Sequence, residues 1–173
     1  MENELTNQSP IHRFDQPIGC PFTCRQRIEL EYTSHFIPYL KFLEKTIGKD
    51  KVIESLLDFS SQGVREYAEE VVKSKGKNDL SVFKEIFSSA NPHLMEVLTV
   101  EVIEDQKDTF IIKVTECLLA EVFKKAGAAD FGSAALCRDV LFTRSINPQI
   151  ALTLDGTLME GKACCFYKWQ LEP

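Results

Sequence analysis

The spacing of the apolar residues first changes along this chain at Asn91-Pro92, and that change restricts the folds open to it. Before it, the period is helical. Phe36, Leu40, Leu43 and Ile47 recur three or four apart after Ser34, and Gly48 is placed to stop the run. Pro38 must sit in the first turn, or else kink a longer helix beginning near Arg25. Asp50 to Lys73 reads as a second helix, with Val52, Leu56, Val64, Tyr67 and Val71 along one side. Gly63 inside it costs about 1 kcal/mol relative to alanine, which suggests close helix packing there. After a loop at Lys75-Gly76-Lys77-Asn78, Asp79 caps a short helix edged by Leu80, Phe83 and Phe87.

Beyond Asn91-Pro92 the period is two. Leu98, Val100 and Val102 alternate with Thr99, Glu101 and Ile103, and Phe110, Ile112 and Val114 alternate after a polar turn at Asp105 to Asp108. Glu116 to Ala126 returns to helix and stops at Gly127, and Asp130 to about Ser145 makes another helix, broken by Asn147-Pro148. Ile150, Leu152 and Leu154 form a third strand, and Ala163 to Gln170 a fourth. The expected architecture is α+β: N-terminal helices followed by ββ-αα-ββ, a four-stranded antiparallel sheet with helices packed against it. Residues 1–24, with three prolines before Phe22, read as a loose lead. Residues 25–173 read as a single α+β domain, with a helical part over 25–92 and a sheet-and-helix part over 94–173.

Charge and composition exclude some functions. A net charge of −6 argues against a nucleic-acid binder, which needs a basic face, but leaves room for a small-molecule substrate or ligand. No run approaches 18 apolar residues, so no membrane helix is expected. The first ten residues are polar and acidic, unlike a signal peptide. The chain therefore reads as cytoplasmic, where thiols stay reduced. Its six cysteines are then buried, metal-bound or reactive rather than disulfide-bonded.

Cys20 and Cys24 are spaced CxxxC, with no second half at zinc-ribbon distance. The other four are Cys117, Cys137, Cys164 and Cys165. Cys117 falls in the first turn of its helix, where N–H groups and the helix dipole lower a thiol pKa. Cys137 falls mid-helix on an apolar side. Cys164 and Cys165 point to opposite faces of a strand, Cys165 sharing its face with Tyr167 and Trp169. The bland alternative is that all four are small core hydrophobes. Around Cys137 stand Arg138, Asp139 and, two turns on, Arg144. These are a carboxylate able to move protons and guanidinium groups able to hold a substrate carboxylate, or simply a solvated helix face. Glu116 reads as a cap complementing the helix dipole. The three histidines are too scattered for a triad or a three-histidine metal site, and GxSxG, HExxH, GxGxxG and GxxxxGK[ST] are absent.

The segments Glu116-Cys117-Leu118-Leu119-Ala120-Glu121, Lys125-Ala126-Gly127, Phe131-Gly132, Cys137-Arg138-Asp139, Ile146-Asn147-Pro148 and Thr157-Leu158-Met159-Glu160-Gly161 with Cys164-Cys165 together resemble the L-2-amino-thiazoline-4-carboxylic acid hydrolase family, over roughly Val114 to Trp169. The ending Gly161-x-x-x-Cys165-x-Tyr167 is also remotely similar to four-vinyl-reductase-type ligand-binding domains. Those domains often carry a cysteine where Thr157 stands here. The first resemblance implies a hydrolase that opens a cyclic amidine or thiazoline-type C–N bond, with Cys117, Cys137, Asp139 and Cys165 catalytic and Arg138, Arg144 and Asn147 holding the substrate. A thiolate nucleophile fits that chemistry. So does a divalent metal held by candidates Cys117, Cys137, Cys164 and Cys165. The rival expectation is a non-catalytic ligand-binding or sensor module, its cavity lined from the chain's 12 phenylalanines. A homodimer packing the long second helix across a two-fold axis is a third use of the chain.

Overall fold

The computed structural model describes residues 22–88 and 91–172. The loose lead expected over residues 1–24, with Cys20, lies almost wholly outside them. Thr23 opens helix α1 (Cys24–Glu31) through a capping box with Gln26. A five-residue π turn, Tyr32–Phe36, joins it to α2 (Ile37–Ile47), with Pro38 in the first turn of α2. The chain runs on as helix through Pro38, with the π turn immediately before it.

Gly48, at φ +88°, ends α2 and starts the 27-residue α3 (Lys49–Lys75), which Gly76 closes in the left-handed conformation. Asp79 caps α4 (Leu80–Ile86), its carboxylate accepting from the Ser81 N–H at 2.8 Å. A short helix α5 (Pro92–Met95) leads into β1 (Leu98–Asp105) and β2 (Thr109–Cys117). Then follow α6 (Leu118–Lys125), α7 (Ala129–Leu136), α8 (Asp139–Ile146), β3 (Ile150–Leu154) and β4 (Cys165–Leu171). The sheet is antiparallel throughout, in the order β1-β2-β4-β3. The fold is α+β. Among the described residues no helix is long and apolar enough to cross a membrane.

Period-two alternation puts Phe110, Ile112, Val114, Cys165, Trp169 and Ile150 on the buried face of the sheet. Register aligns Phe110 with Trp169 and Val114 with Cys165. Helix α3 packs against α7 and α8, α8 packs against β3, and the Ser60 hydroxyl donates to the Ala134 carbonyl at 2.9 Å, tying α3 to α7. Trp169 stacks on Phe83 of α4 at 5.3 Å and on Phe110 at 5.6 Å, and its Nε1 donates to Thr143 Oγ1 of α8 at 3.0 Å.

Five expectations need correction. The helix expected from Asp130 to Ser145 is two helices, because Cys137 (φ −87°, ψ 71°) and Arg138 (φ −113°, ψ 23°) leave helical geometry. The break lets α7 stay on α3 while α8 also reaches β3. Cys137 is thus an inter-helix residue, not a mid-helix one. Cys117 closes β2 and caps α6 rather than lying in the first turn. Glu116 is not a helix cap: it stays in the strand and accepts from the Thr99 hydroxyl of β1. Gly63 marks no close packing, since a Cβ built there meets nothing within 4 Å.

Candidate functional site

The end of β2, the α7–α8 break and the start of β4 bring five acidic side chains into one electrostatic neighbourhood: Cys117, Cys137, Asp139, Cys165 and Tyr167. Cys117 Sγ accepts from the Ala120 N–H at 3.4 Å, as an N-cap does. Cys165 Sγ accepts from the Leu158 N–H at 3.1 Å. That N–H is presented by the turn over Thr157–Gly161, which is closed when Glu160 N donates to Thr157 Oγ1 and Thr157 N to Glu160 Oε2. Asp139, at the start of α8, receives its own backbone N–H and the Tyr167 hydroxyl.

Burial dominates the titration of every member. It pushes the Cys137 thiol up to about 12, helped by neighbouring Asp139, Cys165 and Cys117 and opposed by Arg138. Burial raises Cys117 despite the N–H groups of Ala120 and Leu119, and raises Cys165 despite that of Leu158. The helix start at Cys117 therefore does not produce the lowered thiol expected from the sequence. Desolvation outweighs one turn of backbone donors. Burial also raises Tyr167, and it raises Asp139 against the opposing hydrogen bonds and Arg138. Three thiols and a phenol are thus neutral near pH 7, and Asp139 is the member best able to carry charge.

The remaining expected site residues are not together. Arg138 borders the cluster, its Nη2 donating to the Ser133 carbonyl at 3.1 Å, while its Nε is buried with no partner. Arg144 is exposed in the last turn of α8, because the helix break removes the shared face that would have aligned it with Cys137. Asn147 is a structural bracket: its amide donates to the Asn78 carbonyl at 3.0 Å and it accepts from the Gln149 N–H at 2.9 Å. Cys164 sits before β4 and is half-buried. Among the described residues no group of three or more His, Cys, Asp or Glu is arranged to hold a metal ion. The candidates Cys117, Cys137, Cys164 and Cys165 form no such group. The residue that sequence reasoning left out of the site is Tyr167. Its signal was present, because it lies two positions after Cys165 and so shares its face.

Two hollows flank the cluster. One, of about 340 Å³, has Cys117 and Leu158 in its wall with Arg25, Glu116, Glu121 and Lys124 around them. The other, of about 220 Å³, has Asp139 and Thr143 in its wall among Tyr67, Phe87, Phe142 and Trp169.

Comparison with known proteins places this geometry in context. No curated protein sequence matches the chain. Among solved structures, the phenol-responsive sensory domain of the transcription activator PoxR, with phenol, is similar over 82% of this chain and 75% of its own, at 13% identity and TM-score 0.53. Subunit 3 of the trafficking protein particle complex from Naegleria fowleri, covalently bound to palmitic acid, aligns over 84% of this chain and 95% of its own, at 12% identity and TM-score 0.47. The sensory domain shares the fold. The family description L-2-amino-thiazoline-4-carboxylic acid hydrolase matches residues 27–169, so the match includes the helical first half as well as the cysteine-bearing segments. With most of its length matched in this way, the chain belongs to the L-2-amino-thiazoline-4-carboxylic acid hydrolase family.

Proposed function

We propose that the chain is a hydrolase that opens the ring C–N bond of a small cyclic amidine at the Cys117/Cys137/Asp139/Cys165/Tyr167 cluster. Family membership supports the reaction class. The single observation that carries the reading is the acid-only character of the cluster, with one carboxyl of raised pKa beside a thiol held in its neutral form. Such a pair suits a substrate that arrives as a base. Asp139 gives its proton to the ring nitrogen, and the amidine carbon becomes a stronger electrophile. The Cys137 thiol attacks that carbon and its proton passes to the Asp139 carboxylate, so a thiolate forms only as the bond forms. Asp139 then gives this second proton to the ring nitrogen, the exocyclic nitrogen supplies the electron pair that expels that nitrogen as an amine, and the Asp139 carboxylate is left to take a proton from the attacking water. Water adds to the resulting thioimidate, sulfur leaves and regains a proton, and the former amidine carbon keeps the water oxygen as a carbonyl. Arg138 favours both the ionised carboxylate and the developing charge on sulfur.

The test is turnover of 2-aminothiazoline-4-carboxylate and simpler cyclic amidines, followed by mass spectrometry for addition of one water. Cys137→Ala and Asp139→Asn are each expected to lower kcat/KM by about a hundredfold or more, the usual scale for a nucleophile or a proton-transfer group. Unchanged turnover in both variants overturns the reading.

A second reading, a ligand-binding sensory module, is favoured by the aromatic-walled hollow beside Asp139 and by the fold shared with the phenol-responsive domain. Saturable ligand binding with no product from any amidine would support it over the hydrolase.

A further inference from the structure

Phe59 of α3 is the most exposed large apolar side chain among the described residues, at 78%. Tyr67, two turns further on, is 56% exposed although one side of its ring stacks on Phe142 at 5.7 Å. Gly63 stands midway, exposed, with nothing within 4 Å of a Cβ built on it. Steps of four keep Phe59, Gly63 and Tyr67 in one row along the helix. The α7–α8 pair runs beside α3, tied to it by Ser60 on Ala134 and by Tyr67 on Phe142. Between those two ties along the chain come Leu136 and Val140, 36% and 41% exposed.

The row is symmetric, with one ring four residues to each side of Gly63. A two-fold axis through Gly63, with two copies of α3 antiparallel, therefore sets each Phe59 beside Tyr67 of the other copy. Glu66, three residues from that axis, falls level with Ser60 of the other copy and not with its own counterpart. Two other exposed apolar sets lack this property. On α2, Tyr39 and Phe42 are interleaved with Lys41 and Lys45, and on β1, Val102 and Ile103 with Glu101 and Glu104. A two-fold contact on either would press like charges together.

The strip is also large enough. Its 27-residue helix is about 40 Å long, and with the α7–α8 margin the strip is about 20 Å wide. The product, about 800 Å², is what a stable interface covers on each partner.

We propose that this strip is a homodimer interface in which two copies cross antiparallel at Gly63, Phe59 of each packing on Tyr67 of the other. Leu136 and Val140 lie at its margin, so the second copy covers the α7–α8 break that carries Cys137 and Asp139. The contact is independent of any ring-opening chemistry. At an axis separation of about 10 Å, the two Cα atoms at position 63 stand about 5 Å apart. That leaves room for a methyl there and is within reach of a disulfide.

The full chain is run by sedimentation equilibrium from about 1 to about 100 µM. The unaltered chain is expected at twice its 19.7 kDa. Phe59→Glu is expected to raise the dissociation constant about hundredfold or more and to shift the mass towards that of one chain. Phe42→Glu, on α2, is expected to associate as the unaltered chain does. Gly63→Cys leaves both rings in place and decides the matter even if Phe59→Glu does not fold. With diamide as oxidant it is expected to join two copies through position 63, read by peptide mass spectrometry. One chain's mass for the unaltered protein at about 100 µM overturns the proposal. So does a dimer that a folded Phe59→Glu leaves intact, one that Phe42→Glu dissolves, or Gly63→Cys chains that do not join at that position.

Discussion

Two opposing effects meet at Cys137: a helix break brings its sulfur to the cluster, and the same enclosure keeps the sulfur protonated. A thiol at about 12 should react with iodoacetamide at pH 8 more slowly than in denatured chain by a factor on the order of a thousand, the ratio of thiolate fractions for a shift from the ordinary cysteine value. Peptide mapping after timed alkylation reads this directly, and equal rates with and without urea would show an exposed, ordinary thiol. The same group makes a stability prediction. Its folded pKa is raised above its unfolded one, so its contribution is full below pH 9 and is lost as pH rises from about 9 to about 12. Urea midpoints should fall across that window in the unaltered chain and fall less in Cys137→Ser, which has nothing to titrate there. Parallel curves for the two proteins would assign the alkaline loss to other groups.

Two glycines within helices make opposite predictions at the scale of elements. Gly63 faces open space in the middle of α3, and alanine there should stabilise by about 0.5–1 kcal/mol through helix propensity and a less flexible unfolded chain. Gly132 of α7 has no such room. Its Cβ would stand 2.7 Å from Met159 Sδ and 2.8 Å from Phe123 Cγ, so alanine should cost about 1–3 kcal/mol by overpacking. Met159 belongs to the turn whose Leu158 N–H bonds Cys165, so the strain reaches the site. Urea unfolding of the two variants checks the sign of each, and a stabilised Gly132→Ala would mean that α7 can move off that turn. Composition alone does not separate these glycines. Both sit in helical stretches of sequence, and only the neighbouring side chains distinguish them.

Across the whole molecule, Trp169 joins the layers. It is paired with Phe110 in β2 and Leu152 in β3, stacked on Phe83 from α4 and hydrogen-bonded to Thr143 from α8. Trp169→Phe keeps a ring but removes the indole N–H and part of the volume, which should cost about 1–3 kcal/mol. For a chain of this length that corresponds to a melting point lower by about 2–10 °C, measurable by calorimetry. A melting point unchanged by the substitution would mean that the sheet and α8 are held together elsewhere.

Local pattern determined the order of elements. Helical spacing before Asn91-Pro92, alternation after it, and the cap at Asp79 act between residues close in sequence, and so they are readable without coordinates. The alternation of β4 likewise put Cys165 and Tyr167 on one face. The break at Cys137-Arg138 carries no proline or glycine to announce it, and it follows from α7 and α8 packing against α3 and β3. The meeting of Cys117, Cys137, Cys165, Asp139 and Tyr167, the detachment of Arg144 and Asn147, and the upward shift of every thiol in that group depend on strand register and on exclusion of water. Those are properties of residues distant in sequence, and only the folded chain decided them.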